Sequence, residues 1–374
     1  AGIWRTARKV LVPVLRPALL SSVMFISILA AGEFSVPSIL GATTKYTPLS
    51  VQVYDAVYNY PQDYPRAGAI STMMVLISLV AMIFYRRGMR HGSRFVTMAG
   101  RGFNSRRFVP GSWRAPVLVG IWGYIVITVV LPYAALLLIV FTQFRTGDLS
   151  DMHFTTANVT AVLGAQDVRS AIRNTVIISV GVPVCCILIG LIVVYCTDRL
   201  RVPGGGVANL IATAPLAISG IVFGTGVLIA YIRTPLYATI WILALAFIAH
   251  YVSHAVRIIG NGFAQLDGSL EEAARMNGAS RARVLRTVGA PLLRPSIVSA
   301  FLLIYVFTVR EVNTAIILYS PTSLVLSVLA WNYLADGSLA QAAVVGVIQT
   351  LLMIIGIVIA RFVFGIRTTR SALS

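Results

Sequence analysis

Two carboxylates stand inside long apolar runs, Glu33 in the stretch 17–40 and Glu311 in the stretch 295–319. An acid at membrane depth is costly and normally faces a partner or a water-filled path. The two occupy one position of an internal repeat. Shifted by 278 residues, Arg5 meets Arg283, Arg8 meets Arg286, Pro13 meets Pro291, Ser21 meets Ser299, Glu33 meets Glu311 and Leu40 meets Leu318, without a gap. A duplication of that period implies two related membrane halves on one chain. Their symmetry would set Glu33 and Glu311 around a central translocation path, where a ring of negative potential would draw a cation. The plainer reading places both acids at the outer interface, Glu311 helped by Arg310. His250 and His254 share a helix face at i,i+4 spacing, but no third ligand accompanies them, so polar residues settled near the interface or bundle core explain them better than a metal. Cys185, Cys186 and Cys196 fall in one apolar run, which fits small buried side chains rather than a disulfide framework. No G-x-x-x-x-G-K-[ST] phosphate loop is present, and Gly204-Gly205-Gly206 lacks the lysine, so ATP hydrolysis is not expected on this chain. Neither a catalytic residue nor a cofactor is expected.

The elements that must position these residues are legible in composition. Charged residues make up 11% of the chain and hydrophobic ones 57%, with a mean hydropathy of +0.85, which excludes an ordinary soluble globular protein. The net charge of +18 would suit a nucleic-acid partner, but its arrangement does not. Apolar runs at 67–85, 115–144, 174–197, 202–232, 234–256 and 337–360 are each long enough to cross a bilayer as a helix. With the interrupted runs 17–40 and 295–319 they make about eight spans. The basic excess falls almost wholly in alternate loops, 1–16, 86–114, 197–205, 257–294 and 361–374, which the positive-inside rule assigns to the cytoplasm together with both chain ends. Residues 86–114 hold eight arginines and no acid, the composition of a solvated linker near anionic headgroups.

Between two of these runs lies a charged island, Ser269 to Pro295. Ser269 and Glu272 form a capping box, Glu271 and Glu272 suit the positive end of a helix dipole, Gly278 supplies a C-cap and Pro291 ends the second short helix. Glu272-Ala273-Ala274, with Gly278 four residues beyond Ala274 and Pro291 thirteen beyond Gly278, resembles the EAA signature of ABC importer permeases. Val288 and Ala290 stand where that family usually shows isoleucine and leucine. The resemblance implies that this loop docks into a separate ATPase subunit. Glu272, Ala273, Ala274, Gly278 and Pro291 would couple the two, with Arg5, Arg8 and Pro13 as their counterparts in the first half. Ala214-Pro215-Leu216-Ala217-Ile218-Ser219-Gly220 is similar to the family's proline-glycine segment with its second proline missing. Gly32-Glu33-Phe34, Pro37, Tyr54-Asp55 and the tail Tyr319-Ser320-Pro321 make the chain similar to fused ferric iron permeases.

The expectation is thus an all-α membrane protein of the ABC importer permease fold, in a bacterial inner membrane. Residues 1–85 would be the C-terminal part of a first half that begins inside its coupling loop, 86–114 the cytoplasmic linker, and 115–374 a complete second half with its coupling loop at 259–292. Cytoplasmic ATPase subunits, an extracytoplasmic solute-binding protein and the lipid bilayer would be its partners, with no nucleic acid. Ferric iron heads the substrates that the resemblance implies, with thiamine, aminoethylphosphonate, polyamines and similar solutes handled by close relatives. A gradient-driven secondary transporter is the alternative class, and its mark would be several buried acids or interrupted helices at the midplane.

Overall fold

A computed structural model describes residues 30–41, 47–92, 114–144, 152–200, 202–266 and 289–364, with single positions scattered through 8–27 and 276–287. Apolar runs leave the backbone no partner but itself, so each closes its own i to i−4 ladder and becomes a helix. In chain order these are α1 (Ser35–Gly41), α2 (Leu49–Tyr58), α3 (Tyr64–Gly92), α4 (Arg114–Ile125), α5 (Leu131–Phe141), α6 (Ala157–Gly164) and α7 (Gln166–Val194). They continue as α8 (Gly205–Thr213), α9 (Gly220–Tyr231), α10 (Ile240–Ala264), α11 (Ala290–Arg310), α12 (Ala315–Leu318), α13 (Leu326–Ala335) and α14 (Leu339–Phe364). A π-turn over Val126–Val130 joins α4 to α5 as one span. The strand pair among the described residues, β1 (Thr142–Phe144) and β2 (Met152–Phe154), is a short antiparallel hairpin pairing Gln143 with His153.

Among the described residues six helices are long and apolar enough to cross a membrane, seven if one bent pair counts as a single span. The sequence expectation of about eight differs for two reasons. The first part of the run 17–40 is described only at single positions up to residue 27. The run 202–232, read as one kinkable span, is broken: α8 passes through a 3-10 turn at Ala214–Ala217, and α9 leaves at 115°. Pro215 cannot donate to the preceding turn and Ile218 is extended, so the ladder stops there and restarts at Gly220. The span expected from residue 174 begins earlier, at Gln166, because Asp167 in the first turn suits the helix dipole.

The buried core is built on α7, α10 and α11, which pack against one another along their lengths. Val182, Cys186, Leu243, Phe247, Ile259 and Ile304 are buried there. Cys186 is one of the core's small side chains, and all three cysteines are free thiols. Small residues let the backbones approach, as lipid requires where no hydrophobic drive separates helix from solvent. A Cβ at Gly262 in α10 would run into Ser296 of α11. Asn174, buried in α7, donates from its Nδ2 to the carbonyls of Thr322 (3.2 Å) and Leu324 (2.9 Å), and the Thr175 hydroxyl accepts the Leu326 amide at 2.9 Å. These three bonds fasten the loop before α13 to α7.

Candidate functional site

The run 295–319 does not cross as one helix. α11 ends at Arg310, and Glu311 is extended, turning the chain into the short α12. Glu311 holds that turn: its Oε1 accepts the Thr314 amide at 2.8 Å, its Oε2 accepts the Tyr251 hydroxyl from α10, and its carbonyl accepts the Ser327 hydroxyl at 2.6 Å. The same device appears in the other repeat. Glu33 Oε1 accepts the Ser35 amide at the start of α1 (3.3 Å), and its carbonyl accepts the Ser50 hydroxyl at 2.8 Å. Each acid thus sits at the N-terminus of a short helix, where a carboxylate meets unpaired amides and the positive dipole end. Repeat mates Ser35 and Asn313 touch directly, hydroxyl to Oδ1 at 3.3 Å.

The break between α8 and α9 is wedged between these two turns. A Cβ on Gly32 would overlap Ser219, and one on Gly220 would lie 2.8 Å from both Glu311 Oε1 and Thr314 Oγ1. Only glycine allows so close an approach. Together the acid turns, the broken helix and α10 border a half-open cavity of about 500 Å3 lined by Glu33, Glu311, Ser219, His250, Arg257 and Arg310, among others. His250 and His254 both line it, with Phe223 and Phe307 rings 5.3 and 5.2 Å from the respective imidazoles. Among the described residues no group of three or more His, Cys, Asp or Glu is arranged to hold a metal. A larger groove of about 830 Å3 between α7 and α10 is lined by apolar side chains without a charged residue, so it has nothing to orient a polar solute.

Next to Glu33 in the chain, Phe34 belongs to a cluster of aromatic rings drawn from both repeats. Phe34 packs on Tyr54 and Trp331 with centroids 4.9 and 5.1 Å apart, and Tyr58 stacks between Tyr54 and Tyr319. The Tyr58 hydroxyl donates to the Ile316 carbonyl at 2.5 Å, tying α2 to α12. Burial raises the Tyr54 and Tyr58 phenols above the ordinary tyrosine range, so this cluster carries no charge of its own.

The structure therefore brings Glu33 and Glu311 into one cavity, and His250 and His254 with them, rather than leaving the histidines near a helix end. The lining is charge-balanced, because Arg257 and Arg310 face the same space as the two acids. Pro291 lies exposed in the first turn of α11, and Arg8 is exposed. Glu272, Ala273, Ala274, Gly278, Arg5 and Pro13 fall outside the described residues. Tyr251 and Arg257 were missed by sequence reasoning. A signal existed: residues 250, 254 and 257 form an i, i+4, i+7 polar stripe on an otherwise apolar helix.

The fold is similar to one already seen in an ABC transporter. A chain of the bacterial ABC transporter involved in the import of the acidic polysaccharide alginate superposes with a TM-score of 0.54 at 16% identity, covering 68% of this chain and 96% of that one. In sequence the chain is similar to permease proteins of transport systems. It is 25% identical over 363 residues to the ferric transport system permease protein FbpB of Actinobacillus pleuropneumoniae, covering 94% of this chain and 51% of the relative. It is 28% identical over 201 residues to the molybdate/tungstate transport system permease protein WtpB of Thermococcus kodakarensis, covering 53% of this chain and 79% of the relative. The chain spans about half the length of the ferric permeases it matches over most of its own length. No family model matches it.

Proposed function

We propose that this chain forms the translocation path of an ATP-driven importer, moving ferric iron delivered by an extracytoplasmic binding protein across a bacterial inner membrane. The observation that carries the reading is the half-open cavity with charged side chains in its lining, where two repeated acid turns meet a broken helix in a fold otherwise made of apolar spans. Residues 1–85 and 115–374 are read as parts of two permease halves, joined by a cytoplasmic linker at 86–114. ATP is hydrolysed on separate subunits gripping the loop 259–292, where Glu272, Ala273, Ala274, Gly278 and Pro291 make the contact, with Arg5, Arg8 and Pro13 serving the other half. Closure of the ATPase pair would rock the two halves and expose the cavity alternately to each side. Glu33 and Glu311 then border the path. Ferric iron is preferred because the match to the ferric permease of Actinobacillus pleuropneumoniae runs over 94% of the chain, against 53% for the molybdate/tungstate relative.

Affinity purification of the tagged chain from its own cells tests the coupling. We expect an ATPase subunit to co-purify with the parent, and its recovery to fall several-fold in Glu272→Ala and Gly278→Asp. Recovery of a correctly inserted chain with no ATPase would remove the proposal.

A further inference from the structure

The side chains lining the cavity differ in what they have left to offer. Both Glu311 oxygens already accept hydrogen bonds, from Tyr251 and from the Thr314 amide, and one Glu33 oxygen accepts from Ser35. Arg257 and Arg310 are the opposite case. Both are exposed to the cavity, and neither has a hydrogen-bond or ion-pair partner among the described residues. A guanidinium offers five donors, accepts nothing and cannot shed its charge in a protein. The neutral groups add to the same side. Ser219 Oγ and His250 Nδ1 are buried without a partner among the described residues, and Ser219, which precedes α9, makes no side-chain cap to the first amides of that helix. Two unpaired cations, a free hydroxyl and a helix N-terminus converging on one space are complementary to negative oxygen atoms.

We propose, resting on the permease reading, that the solute crossing this cavity presents an oxyanion group to Arg257 and Arg310 beside the start of α9. The carboxylates serve differently, bracing the turns that set the cavity's shape and balancing its charge when it is empty. An oxyanion can arrive in two ways, as a ferric complex whose carboxylate or phosphate-type ligands face outward, or as a free tetrahedral oxyanion. The recognising chemistry is the same for both.

The test uses the full chain purified with its ATPase. Binding of ferric citrate, sodium molybdate and spermidine is read as a concentration-dependent rise in the thermal unfolding midpoint. Ferric citrate or molybdate should stabilise the parent complex and spermidine should not. Stabilisation by ferric citrate alone identifies a metal complex as the source, and by molybdate alone a free oxyanion. In the double variant Arg257→Gln/Arg310→Gln the half-saturating concentration should rise at least about tenfold, the loss expected on removing charge-assisted hydrogen bonds. Should that variant fail to fold, Glu33→Gln and Arg310→Lys carry the same test, with oxyanion affinity held in the first and reduced in the second by loss of the bidentate fork. No stabilisation by either oxyanion, unchanged affinity in the arginine variants, or spermidine binding abolished by Glu33→Gln would overturn the inference. Failure of the ATPase to co-purify with the parent would count against the permease reading instead.

Discussion

At Asn174 a single side chain fixes a loop 148 residues away, because its two amide protons are spent on the carbonyls of Thr322 and Leu324, the second of these bonds being buried. Replacing it with alanine removes both bonds and leaves the buried Leu324 carbonyl without this donor. About 1–3 kcal/mol of stability should be lost, read as a lowered unfolding midpoint in detergent. Asn174→Asp should do no better, since a carboxylate has no proton to give; parent-like stability in either variant would refute the role. Gly220 sets a steric limit instead. Its missing Cβ is the space occupied by Glu311 Oε1 and Thr314 Oγ1, so Gly220→Ala must displace the acid turn or the start of α9. The expected outcome is a lowered midpoint together with weaker solute binding, and an unaltered protein would mean that the turn yields freely. Glu33 and Glu311 stood out in the sequence because charge in an apolar run needs an explanation. Tyr251 and Arg257 did not, since a tyrosine in a membrane helix and an arginine near its end are both ordinary. Their significance comes from the cavity, which forms only when α10 meets the turn after α11.

The spans themselves were readable from hydropathy, and six emerge as helices of crossing length among the described residues. What hydropathy could not supply was the direction of the chain within the run 202–232. Pro215 and the glycines at 220, 224 and 226 permit a kink or a full break alike, and packing of Gly32 and Glu311 against the segment selects the break. The repeat was legible to Leu40, and the hydrogen bonds extend its echo: the Ser50 to Glu33 and Ser327 to Glu311 bonds match with a register one residue shorter. A single-residue gap of that kind hides a duplication from simple alignment while the geometry keeps it. If these bonds do the same work in both repeats, Ser50→Ala and Ser327→Ala should each destabilise by about 1 kcal/mol, and their effects should add in the double variant. A neutral Ser50→Ala beside a damaging Ser327→Ala would show that the two turns bear unequal loads.

For the whole molecule, the alternation of basic and neutral loops predicts that cysteines placed at Ser93 and Thr369 react only from the cytoplasmic side and one at Thr155 only from outside. Labelling of Ser93 and Thr155 from the same side would break the proposed threading. The central claim is that solute movement through this chain is driven by ATP on a partner subunit, and one measurement addresses it most directly. Vesicles containing the full chain with its ATPase and binding protein are loaded with ATP or a non-hydrolysable analogue, and uptake of radiolabelled ferric iron supplied on the binding protein is followed with and without an ionophore that collapses ion gradients. The account predicts uptake that requires hydrolysable ATP, survives the ionophore and falls at least about tenfold in Glu272→Ala, the range of one lost coupling interaction. Uptake that proceeds without ATP and disappears when the gradient is collapsed would contradict it and make the chain a gradient-driven transporter.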